Sequence, residues 1–194
     1  MGLCHLGSRP TDLALVSSGL LMNSGLRKLV RTGHIVFTVG WLGAVAGFFA
    51  LAVTGLNSRD VQTVRAVYFA MKLITWSVIL PFSFIPLLLT GPLLSLGTPW
   101  GLFRHYWIIT KLVINILSVL VLVLHLQPIN YLARAATEST LSSADHSLQL
   151  QMVIASGAAL GALLAATALA VYKPRGVTPY GWRKQYEERA SSQT

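Results

Sequence analysis

The sequence predicts an all-α integral membrane protein, an up-down bundle of four transmembrane helices with a kink in the second. Asp, Glu, Lys and Arg are absent from residues 32–58, 73–103 and 147–172, and residues 107–129 hold only Lys111. A helix that crosses a hydrocarbon core of ~30 Å needs ~20 mostly apolar residues, and each run supplies them. Mean hydropathy is +0.62 and 11% of residues are charged, where a soluble domain carries about 25%. The segments between the runs are short, which favours antiparallel neighbours. In lipid the backbone has no water to bond, so the spanning segments must be helical.

Each element follows from local signals. Residues 1–28 are polar and basic and read as a disordered cytoplasmic extension; the mildly apolar stretch 13–22 is short and lacks an Ala-x-Ala cleavage site. The first helix is expected over about 29–56, after the basic residues Arg27 and Lys28. The second is expected over about 67–95. Pro81 and Pro86 each remove an internal hydrogen bond, hence the kink. Gly91-Pro92 and Gly97-Thr98-Pro99 mark the turn that follows. The third is expected over about 103–127, stopping before Pro128. The fourth is expected over about 147–172, with Pro174 just beyond it. Residues 173–194 read as a basic cytoplasmic tail.

Charge sets the orientation. The net charge is +9, but the cations flank the apolar runs instead of forming one basic face, which argues against nucleic acid as a partner. Arg9, Arg27, Lys28, Arg31, Arg104, Lys173, Arg175, Arg183, Lys184 and Arg189 fall on one side. Arg59, Arg65 and Arg134 fall on the other. The positive-inside rule then puts both termini in the cytoplasm. The outer connections become residues 57–66 and 127–146. The single cysteine, Cys4, excludes an internal disulfide and a thiolate zinc site.

Chemistry-bearing residues are few. His34 and His105 lie near the cytoplasmic ends of their helices, and His125 and His146 near the outer ends. His105 and His125 are 20 residues apart on one helix, or ~30 Å, so they cannot share a site. The natural pairs are His34 with His105 and His125 with His146. Facing imidazoles can ligate haem b or another metal, and histidine also suits the membrane interface for its amphipathic ring. Lys111, Asn115, Ser118 and His125 share one face of the third helix. Tyr68, Lys72, Thr75, Ser83 and Thr90 share one face of the second. No acid occurs between Asp60 and Glu138, so Lys111 must snorkel, lose its proton or meet an anion such as a lipid phosphate or a propionate. Gly43-x-x-x-Gly47 and Gly157-x-x-x-Gly161 permit close backbone approach, between the first and fourth helices or across a homodimer or a partner membrane subunit.

Gly33-His34, six residues, then Trp41-Leu42-Gly43 resembles the first helix of small bacterial membrane proteins of the haem-dependent protoporphyrinogen oxidase and copper-resistance D-type groups. Trp107-x-x-x-Lys111 with His125 downstream is similar to their lysine- and histidine-bearing helix. The Gly-Leu-Phe-Arg-His-Tyr-Trp segment at 101–107 equally resembles uncharacterised bacterial four-helix membrane proteins. The resemblance covers the first and third helices and implies a multi-pass protein of the bacterial cytoplasmic (inner) membrane. Three functions are carried forward: a non-catalytic accessory or assembly subunit, a haem b redox protein using His34, His105 and Lys111, and a metal or small-solute permease. Copper(I) favours clustered Met or Cys ligands, and the four methionines (Met1, Met22, Met71 and Met152) form no cluster.

Overall fold

A computed structural model of the chain describes residues 24–92, 105–138, 145–172 and 176–191. Four long apolar helices dominate: α1 (Ser24–Asn57), α2 (Val61–Thr90), α3 (Tyr106–Glu138) and α4 (His146–Tyr172). A shorter polar helix, α5 (Pro179–Ser191), follows. Each of the four is long and apolar enough to cross a membrane. α1 packs most extensively on α4, α4 on α3, α3 on α2 and α2 back on α1, which closes a ring. The start of α1 meets the end of α2, the start of α2 meets the end of α3, and the start of α4 meets the latter half of α3. Sequential neighbours therefore run antiparallel, in the up-down order that short connections favour. Trp41, Phe48, Tyr68, Met71, Leu132 and Met152 are among the buried side chains between them.

Several boundaries differ from those expected. α1 begins at Ser24, so residues 24–28 are helical rather than part of a disordered extension; residues 1–23 lie outside the described residues. α2 begins at Val61, six residues before 67, because Asp60 caps its polar first turn. The Asp60 carboxylate accepts from the Thr63 amide at 2.9 Å and from the Thr63 hydroxyl at 2.6 Å. Those bonds, the hydroxyl's first, hold the Asp60 carboxyl below its usual value. α3 does not stop before Pro128 but runs to Glu138. A proline inside a helix costs ~3 kcal/mol. The turns beyond it bury Ile129, Leu132, Ala133, Ala135 and Ala136 between the helices, and that packing outweighs the lost bond. Within the tail, α5 is a helix: Pro179 occupies its first position and the Thr178 hydroxyl accepts from the Gly181 amide at 3.1 Å. The Tyr106 amide donates to Gly176 O at 3.4 Å, which ties the segment before α5 to the start of α3.

The prolines of α2 act by widening the helix. The chain is π-helical over Thr75–Ile79 and again over Ile85–Thr90. The Leu80 amide reaches back five residues to Thr75 O, and the Gly91 amide reaches Pro86 O. A proline leaves one carbonyl without its donor, and a wide turn re-pairs the backbone around the gap. Glycine is needed at position 91, where a Cβ would stand 2.6 Å from Pro86 O.

The glycine motifs divide. A Cβ on Gly157 would stand 3.2 Å from the Phe49 ring of α1, so the α1–α4 contact does run over this glycine. Gly43 and Gly161 meet nothing within 4 Å, and Gly47 meets only Ile74 Cδ1, at 4.0 Å. Two glycines outside those motifs allow the tightest approaches. Gly40 lies under Phe82, whose ring packs edge-on against Phe37 at 5.1 Å, and Gly55 lies against Tyr68.

This division makes a prediction. Gly157→Leu should destabilise the bundle by ~1–3 kcal/mol, the usual cost of overpacking. Gly161→Leu should leave the unfolding temperature in detergent near that of the parent. Equal effects of the two substitutions would show that the α1–α4 contact does not depend on Gly157.

Candidate functional site

Side-chain hydroxyls in the long helices mostly serve their own backbone. Thr38, Thr54, Thr75, Thr110, Thr137 and Thr167 each donate to the carbonyl four residues earlier. Ser118 and Ser156 do the same, and Ser83 donates to Leu80 O. The expected polar face of α2 is thus partly internal. Tyr68, Thr75 and Ser83 are buried, whereas Lys72 is exposed. The Tyr68 hydroxyl is buried without a hydrogen-bond partner.

Thr90 differs. It ends the second wide turn of α2, and its Oγ1 meets His34 Nδ1 of α1 at 2.8 Å. Thr38, one turn on, bonds His34 O and so fixes the backbone beneath the imidazole. Lys111 of α3 is half-buried and within electrostatic range of His34. One end of the bundle thus gathers an imidazole, a hydroxyl and an ammonium from three helices. His105 sits at the entry to α3. Its backbone bridges Val177, and its ring lies 6.4 Å from that of Trp107.

A second polar place lies deeper. Trp41, Phe48, Ser118, His125, Met152 and Ser156 are among the residues that line a cavity of about 60 Å³. That is room for a few waters, although the walls are mostly apolar. His125 Nδ1 lies 2.7 Å from Val121 O, and a carbonyl can only accept, so Nδ1 carries the proton. In the neutral ring Nε2 is then an acceptor, and Gln151 of α4 donates to it at 3.4 Å. Both nitrogens of His125 are therefore engaged. His146, the first residue of α4, is exposed. Among the described residues no group of three or more His, Cys, Asp or Glu is placed to hold a metal.

The far end carries polar links that the sequence reading missed. Trp76 Nε1 donates to Asn130 Oδ1 at 3.3 Å, and the Tyr131 hydroxyl donates to Asp145 at 3.1 Å. Both lie just past Pro128, where the third helix was expected to have ended. The good helix formers after that proline, Leu132, Ala133, Arg134, Ala135 and Ala136, were the available signal of helix.

Fold and polar placement together define a class: a helical bundle with four helices of membrane-crossing length, a polar cluster toward one end and a largely apolar cavity deeper in. No family model, curated protein or solved structure matches the chain.

Proposed function

We propose that the chain is a non-catalytic, multi-pass accessory or assembly subunit of a bacterial cytoplasmic membrane, with both termini in the cytoplasm. The observation that carries this reading is the distribution of apolar surface. Only 11% to 28% of the most apolar window of each long helix is buried within the bundle, so most of that surface faces outward, toward lipid or a partner subunit. Most serine and threonine hydroxyls described in the long helices support it too: they are spent on helix carbonyls, which leaves them unactivated as nucleophiles.

A second reading, a haem b protein, draws on one observation. With Nδ1 of His34 held by Thr90, its Nε2 is the nitrogen left for iron, and such a second partner fixes an axial imidazole.

Three measurements test these readings. A reporter active only in the cytoplasm should work when fused after Thr194 and fail when inserted at Ser142; the reverse would overturn the orientation. Tagged at its native level and extracted in mild detergent, the chain should migrate with a partner protein, well above a 21.0 kDa monomer in its micelle. A monomer throughout would count against an accessory role. Purified from haem-replete cells, the protein should be colourless. A Soret band that shifts on reduction and disappears in His34→Ala would establish the second reading instead.

A further inference from the structure

We propose that His34, Thr90 and Lys111 form a binding site for the phosphate of an anionic membrane amphiphile. The proposal rests on the reading that the long helices span a bilayer, and it adds a ligand to that reading.

Charge comes first. Lys111 is half-buried within the third apolar run and interacts with no carboxylate among the described residues. The nearest acids in sequence are Asp60 and Glu138, outside the apolar stretches of α2 and α3. A sheltered ammonium is costly unless an anion meets it. Among the described residues none meets it, which leaves the place open to an anion from outside the chain.

Hydrogen bonding points the same way. The His34–Thr90 contact has two possible directions. If Nδ1–H donates to Thr90, the hydroxyl hydrogen is left over. If the hydroxyl donates to Nδ1, the Nε2–H is left over. In either tautomer the pair retains one donor for a further acceptor. Thr90 is also set apart by its use. Six other threonines of the long helices bond their own helix, whereas this one reaches across to α1. Phosphate oxygens only accept, and they bind an ammonium and neutral donors through charge-assisted hydrogen bonds.

Depth and surroundings favour a lipid over a free ion. Lys111 lies five residues into α3, or ~8 Å from Tyr106. Thr90 ends the second wide turn of α2. This is the depth of headgroups rather than of chain ends. At the same level of the bundle, Ile35, Val36 and Val39 of α1 and Leu88 and Leu89 of α2 are exposed, so acyl chains have apolar helix surface to lie against there. Free inorganic phosphate offers the same oxygens without the chains.

The test uses the full chain in nanodiscs of phosphatidylcholine with a minority of phosphatidylglycerol. After transfer to detergent and washing, phosphatidylglycerol retained per protein is counted by mass spectrometry. Lys111→Met should retain the lipid about tenfold more weakly, the effect of losing one charge-assisted bond. Lys111→Arg should retain it, and Lys72→Met, an exposed cation elsewhere, should match the parent. Thr90→Val should lower retention with helix content unchanged, and it decides the matter if Lys111→Met fails to accumulate. Lys111-dependent binding of radiolabelled phosphate in discs of pure phosphatidylcholine would keep the anion site but replace its occupant. Equal retention in the parent, Lys111→Met and Thr90→Val overturns the proposal. So does loss of a chromophore in Lys111→Met with phosphatidylglycerol unchanged, which would give the site to propionates.

Discussion

One constraint underlies the rest of this structure: a polar group inside an apolar helix bundle is costly unless a partner meets it. Carboxylates are missing from all four apolar stretches of the chain, so its hydroxyls have few side-chain acceptors there. The solution for hydroxyls is local. They fold back on the carbonyl one turn earlier, which satisfies the donor but contributes nothing between helices. Among the described residues, the polar side-chain contacts between helices include His34–Thr90 and Tyr131–Asp145 toward the ends and His125–Gln151 deeper in. Between them the bundle is held by shape, with rings such as Phe49 and Phe82 set against glycines.

The two histidine contacts show how one residue type takes different roles. His125 has a proton position dictated by a carbonyl acceptor, and both nitrogens have partners across and along the helix. It joins α3 to α4. His34 meets a hydroxyl, which can donate or accept, so its proton can sit on either nitrogen. An iron ligand needs Nε2 bare, while a donor to an anion through the imidazole needs it protonated. The choice between those chemistries rests on the orientation of a single hydroxyl.

Much of the architecture was legible in the sequence. The four apolar runs were unmistakable because length and charge depletion act over twenty or more residues, and the order of the bundle followed from short connections. What was not legible lay where two local effects compete. Pro128 reads as a stop, yet the packing of Leu132 and Ala136 carries the helix past it. Asp60 reads as loop, yet its bonds to Thr63 start a helix six residues early. Small-residue spacing predicted a seam at Gly157, but it gave Gly161 and Gly43 the same weight although they face open space. At the candidate site, the sequence reading joined His34 with Lys111 and His105 but left Thr90 apart, on the polar face of the second helix. Their meeting depends on how three helices are rotated, which no single helical wheel contains.

That rotation has an unexpected origin. A π-helical turn holds about one residue more than an α-helical turn, so everything after it is out of phase by ~100°. α2 contains two such turns, and the second ends at Thr90. The position of the Thr90 hydroxyl is thus set by this wide turn, in which the Pro86 carbonyl accepts from the Gly91 amide five residues on. Should the helix take a regular α-helical winding there, Thr90 would swing away from His34 while every residue that touches His34 stayed chemically intact. For a comparison of this chain with another, the consequence is practical. An ungapped alignment of α2 to a regular helix would match the wrong faces from the first wide turn onward, and proteins that share this end of the bundle would be recognised only if both extra residues are counted.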